Sequence, residues 1–111
     1  MTEPSANPKL DRATVIEIVA AGVREALVLA SPEAESAEIT EETRLIGANA
    51  VLDSLGLVTA VLEIEQRLAD EHDLVVVLAD ERAMSQKHSP FRSVGALTDY
   101  VLRLAAENTH A

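Results

Sequence analysis

Val51-Leu52-Asp53-Ser54-Leu55-Gly56-Leu57-Val58 is the stretch from which the rest of this chain is read. It places a serine, preceded by an acid, at the opening of an amphipathic helix. After Ser54, the residues Leu55, Val58, Val61, Leu62 and Leu68 recur at helical spacing, broken once by Glu65, so that side of the helix is expected to be buried. A helix opens with unpaired backbone N–H groups and a partial positive charge, which suits a serine hydroxyl or a phosphate bound to it. Asp or Ser ahead of an apolar helix is equally what an ordinary N-cap looks like, a feature contributing about 1 kcal/mol. The octapeptide alone admits both readings.

Upstream, Val15, Ile18, Val19, Gly22, Val23, Ala26 and Leu27 repeat at i, i+3, i+4, i+7. This spacing predicts a helix from about Asp11 to Ala30, with Asn7 or Asp11 as its cap. Ser31-Pro32 ends it, because the residue before a proline resists the helical region. The connection 31–52 is acidic at first (Glu33, Glu35, Glu38, Glu41, Glu42) and apolar later, and Leu45 and Leu52 are expected to pin it to the core. The serine-led helix runs to about Glu71. Leu74 to Leu78 has the β-branched composition of a strand but no evident partner, so it is expected as extended chain laid over the core. A short helix over Asp80–Gln86, a loop over 87–92 and a last helix follow. Ser93 caps this last helix, which runs from Val94 to about Glu107 with the face Val94, Leu97, Val101 and Leu104 and with Tyr100 alongside. The fold class is therefore all-α: three main helices, a short third helix, and a long loop between the first two. One domain is expected over 9–108, between disordered tails at 1–8 and 109–111.

Composition agrees. A chain of 111 residues with one Tyr, one Phe and no Trp builds a single core from aliphatic side chains, which favours packed helices. Nineteen acidic against 9 basic residues give a net charge of −10, which repels nucleic-acid phosphates and anionic lipid and steers basic protein partners. There is no cysteine, which excludes disulfides, thiolate metal sites and cysteine nucleophiles, and any thioester chemistry needs an imported thiol. The first residues lack a signal-peptide pattern, and Leu74 to Ala79 is too short to span a bilayer, so a cytoplasmic monomer without membrane insertion is expected. Asp70-Glu71-His72-Asp73 points in different directions on a helix and is read as a solvated helix end rather than a metal site. His72, His88 and His110 form no recognisable triad with Ser54. Lys87, His88 and Arg92 make a small basic island that either meets an anion or offsets nearby acids. No phosphate-cradling glycine motif is present.

With this layout, the chain resembles the acyl carrier proteins over nearly all its expected folded length. Asp53-Ser54-Leu55 matches their attachment motif, and Ile39, Thr43 and Leu45 match the loop pattern ahead of it. Val58, Leu62 and Leu68 match buried positions of the second helix, and Val94 and Tyr100-Val101 match the last. The resemblance implies that Ser54 carries a 4′-phosphopantetheine arm, attached by a phosphopantetheinyl transferase from coenzyme A with Mg²⁺, and that Asp53 supports this modification. It implies a non-catalytic carrier that holds acyl or aminoacyl groups as thioesters and presents them to ligase, synthase or transferase partners. Leu55, Leu57, Val58 and Glu65 would form the docking face, with Ala60, Val61 and Ile64 bordering any cargo cavity.

Two departures qualify this. Fatty-acid carriers usually have acids two and five residues after the serine, where this chain has Gly56 and Thr59. Apolar Leu55 and Leu57 look more like carriers of specialised acyl or amino-acid pathways than of bulk fatty-acid synthesis. The segment from Leu78 to Ser93 is also longer than usual, and Met84, Phe91 and Arg92 form either a cargo or partner surface or, for Met84 and Phe91, part of the core. The alternative from another class is an unmodified helical interaction protein with a carrier-like fold.

Overall fold

The computed structural model describes residues 11–33, 38–46, 50–78 and 90–108. The expected tails, the short helix over 80–86 and Met84 lie outside the described residues. Among the described residues, three α-helices make the bundle: α1 (Arg12–Ala30), α2 (Ser54–His72) and α3 (Val94–Asn108). Among the described residues there are no strands, and a single antiparallel bridge joins Arg44 to Ser93.

Of the two proposed caps for α1, the structure uses Asp11, whose carboxylate accepts from Thr14 N–H at 2.8 Å. Hydrogen bonds from Thr14 hold the Asp11 carboxyl below the usual carboxylate range. Ser31 ends the helix ahead of Pro32, with its N–H returned to the Leu27 carbonyl. α2 runs one residue past Glu71 and stops at Asp73, which adopts the left-handed conformation (φ 53°, ψ 35°). Both Asp73 N–H and Leu74 N–H then close on the Leu68 carbonyl, satisfying an acceptor that the helix end leaves open.

α1 packs against both other helices, whereas no Cα of α2 comes within 8 Å of one in α3. Helices held that far apart leave room for side chains from the connections. Leu45, Leu52, Leu74, Val76, Leu78 and Phe91 accordingly join the helical residues in one buried cluster. Leu45 and Leu52 pin the long connection as expected, and the extended 74–78 segment buries alternate residues.

The loop is fastened chiefly to α3. Leu45 N–H donates to the Arg92 carbonyl at 3.0 Å, Val94 N–H to Thr43 at 3.0 Å and Gly95 N–H to Glu41 at 2.9 Å. Arg12 adds exposed ion pairs with Glu41 at 2.7 Å and Asp99 at 3.1 Å, tying the start of α1 to both; pairs of this kind contribute about 0–1 kcal/mol each.

The α2 face differs from expectation. Its buried residues are Leu57, Ala60, Val61, Ile64 and Leu68, whereas Leu55, Val58 and Leu62 are exposed. Only Val61 and Leu68 of the expected buried set are in the core. The helix has two apolar stripes, and the uninterrupted one through Ile64 meets α1. The stripe broken by Glu65 turns outward.

Candidate functional site

Ser54 is the first residue of α2, immediately after its cap. Asp53 is extended (φ −86°, ψ −176°), and its Oδ1 accepts from Gly56 N–H at 2.7 Å. Its carbonyl takes Leu57 N–H at 2.8 Å, the first bond of the helical ladder. Asp53 is thus the N-cap that makes Ser54 the opening residue. Gly56 suits this tight turn: a Cβ there would lie 3.1 Å from Asp53 Oδ1 and 3.2 Å from Leu52 Cδ2.

The Leu55 N–H precedes the ladder, and among the described residues nothing accepts from it. α3 begins differently. Its first three N–H groups are taken by Thr43, Glu41 and the Ser93 hydroxyl, the last at 3.1 Å from Ala96 N–H. The α2 start therefore keeps an open donor at Leu55, aligned with the positive end of the helix dipole, beside a serine. Such an end can hold a phosphate through backbone N–H groups, the dipole lowering the cost of its charge.

From this point an exposed apolar stripe runs up α2. Leu55 is 75% exposed and Leu62 55%, with Val58 between them and Val51 just ahead of the helix, also exposed. Thr59, Gln66 and Ala69 share this side, so a quadrant of the helix carries no charge on a chain of net −10. Acids lie at its margins. Glu65 Oε2 accepts from Leu78 N–H at 2.7 Å, and Glu63 pairs with Arg67 at 3.0 Å.

The expected docking set is therefore revised. Leu55 and Val58 are exposed and adjacent to Ser54. Leu57 is buried on the opposite side against the core, so it cannot form part of an exposed face. Glu65 is half-buried and fastens the 74–78 segment to α2. Ala60, Val61 and Ile64 are core residues. Phe91 is also buried, packed edge to face with Tyr100 (centroids 6.3 Å apart, planes at 73°), and belongs to the core rather than to a surface. Arg92 is exposed about the turn into α3, and its carbonyl receives the Leu45 N–H.

Sequence reading missed Leu62 as an exposed site residue. The available signal was that α2 has more apolar positions than one buried face can hold, and the Glu65 break marks the stripe left outside. Among the described residues, no three His, Asp or Glu side chains come together as a metal site, and no helix is long and apolar enough to cross a membrane. No family model, curated protein or solved structure matches the chain.

Proposed function

We propose that this protein is a phosphopantetheine carrier, with Ser54 as the attachment residue and the Leu55–Val58–Leu62 stripe as the surface that meets its enzymes. The observation that carries this reading is Ser54 at the first position of α2, beside the Leu55 N–H, which has no partner among the described residues. The sequence resemblance to acyl carrier proteins at Asp53-Ser54-Leu55 supports it. The residues present fit the group: Ser54 supplies the ester oxygen, the α2 start supplies donors for the phosphodiester, and Asp53 holds the turn. When bound, 4′-phosphopantetheine supplies the thiol that a cysteine-free chain lacks and through which acyl or aminoacyl groups are held as thioesters. The protein itself is then a non-catalytic carrier. Its partners are a phosphopantetheinyl transferase and the ligases, synthases or transferases of a specialised acyl pathway.

Intact mass after incubation with coenzyme A, Mg²⁺ and a broad-specificity phosphopantetheinyl transferase tests this directly. The native chain is expected to gain one phosphopantetheine and Ser54→Ala none. A folded native chain that gains nothing from several transferases would favour the second reading, an unmodified interaction protein. The uncharged exposed stripe on α2 supports that reading too, since such a patch suits protein contact whether or not Ser54 is modified.

The stripe yields a separate expectation. Leu55→Ser with Leu62→Ser leaves folding within about 1 kcal/mol of native, because both side chains are exposed. The transferase kcat/KM falls about tenfold, equivalent to about 1.4 kcal/mol of lost contact. Raising salt from low to physiological levels changes the native value little, since the contact is apolar. A normal kcat/KM for the double variant would remove the stripe from the docking surface.

A further inference from the structure

Leu52, Asp53 and Gly56 close on one another around the start of α2. Leu52 stands one residue before the cap and shares the buried cluster with Leu57, the fourth residue of the helix. An apolar pair at these two positions packs together and fixes the angle at which a chain enters its helix. Asp53 supplies the second hold, with Oδ1 on Gly56 N–H at 2.7 Å and its carbonyl on Leu57 N–H at 2.8 Å. Both holds border the space where a side chain at 56 would begin. A Cβ there would lie 3.1 Å from Asp53 Oδ1, 3.2 Å from Leu52 Cδ2 and 3.3 Å from Leu52 Cβ. Neither neighbour yields freely. Leu52 is packed in the core, and Asp53 Oδ1 retreats only by stretching the hydrogen bond that makes it the cap. Gly56 is itself helical, a setting in which glycine is less favourable than alanine, so space rather than backbone conformation accounts for it.

We infer that Gly56 is a positioning residue for the modification of Ser54. By leaving this space empty it lets Leu52 enter the core and Asp53 close the cap, and so fixes where the first residue of α2 stands. This role rests on the reading of Ser54 as the attachment residue. In the modification, the Ser54 oxygen bonds to the pantetheine-bearing phosphorus of coenzyme A and the pyrophosphate bond breaks. Adenosine bisphosphate leaves, and the serine proton passes to a base outside this chain. Such a displacement depends steeply on where the attacking oxygen is held. Gly56 acts on it through Leu52 and Asp53. It lies about 100° or more around the helix from Leu55, Val58 and Leu62, away from the stripe that meets the enzyme. Two tasks at one helix start are thereby divided between two sets of residues: the stripe binds, and the Leu52–Asp53–Gly56 contact holds the acceptor in place.

The test measures modification kinetics with coenzyme A, Mg²⁺ and one broad-specificity transferase. The native chain, Gly56→Ala, Leu52→Ala and the double variant are compared at a temperature where circular dichroism shows each folded. Gly56→Ala is expected to lower kcat about tenfold with KM within about twofold of native, the mark of an acceptor held out of place rather than of lost docking. In the Leu52→Ala background, where the Cδ2 contact is gone, the same change is expected to cost no more than about threefold. Should Leu52→Ala not fold, Leu52→Val removes the same atom and serves as the background. A glycine with only a structural role would shift the urea midpoint and leave the kcat of the folded chain unaltered. The assignment is overturned if folded Gly56→Ala keeps the native kcat, if its loss lies in KM alone, or if the two substitutions act independently. No gain of mass on the native chain is a separate result, which removes the carrier reading and this role with it.

Discussion

Replacing Phe91 by alanine is expected to lower stability by about 3–5 kcal/mol, most of what a small domain possesses when the whole is about 5–15 kcal/mol. Phe91 is 1% exposed, is the chain's one phenylalanine, and sits immediately before α3. Its loss opens a cavity that surrounding aliphatic residues fill only by moving, and it removes the edge-to-face contact with Tyr100. The turn it anchors also carries the Arg92 carbonyl that receives Leu45 N–H and the Ser93 hydroxyl that caps α3. Urea unfolding should show a lower midpoint with an unchanged slope, and Phe91→Leu, which keeps much of the bulk, should lose less. A Phe91→Ala protein within about 1 kcal/mol of native, but poorly used by partner enzymes, would return Phe91 to the surface role that sequence alone left open.

Much of this fold is legible in the sequence because its helices are bounded by strong local signals. Asp11, Asp53 and Ser93 cap, Pro32 stops α1, and the apolar spacing of α1 names its buried residues nearly in full. The alternation in Leu74 to Leu78 likewise follows from chain geometry once one side meets a core. What sequence does not supply is the direction in which a helix with two apolar stripes turns. Local periodicity is satisfied whether Leu57–Ile64–Leu68 or Leu55–Val58–Leu62 faces inward. The choice belongs to tertiary packing, where Gly22 of α1 receives the Ile64 side of α2. The role of Glu65 is hidden for the same reason, since its partner, Leu78 N–H, lies 13 residues away.

The same packing produces the site. Because α2 turns its Ile64 side to α1, the stripe leading away from Ser54 is left exposed and uncharged. The loop fastens to α3, using up the donors at that helix start, while the Leu55 N–H at the start of α2 has no partner among the described residues. A serine, an uncommitted donor and an apolar contact surface thereby come together at one end of one helix. Asp53-Ser54-Leu55 names the serine; it does not reveal the difference between the two helix starts.

The orientation of α2 can be tested at Gly22. A Cβ there would lie 2.6 Å from Ile64 Cγ1, closer than packed atoms tolerate, and a tight 3.1 Å from the Ala60 carbonyl oxygen. Ile64 is fully buried, so its Cγ1 has little room to retreat, and the Ala60 oxygen is fixed by its helix. Gly22→Ala gains about 0.8–1 kcal/mol of helix propensity but incurs about 1–3 kcal/mol of overpacking, so a net loss of up to about 2 kcal/mol is expected. Gly22→Val adds two further atoms and stiffer χ1 at the same point, and should cost more than about 3 kcal/mol. Removing the obstructing side chain supplies the control. In the Ile64→Ala background, Gly22→Ala should cost at least about 1 kcal/mol less than in the native chain, a coupling that urea unfolding of the four proteins in the cycle measures. Additive effects, or a Gly22→Ala protein more stable than native, would mean that α1 and α2 do not meet through Gly22 and Ile64. The outward stripe beside Ser54 would then lose its structural basis.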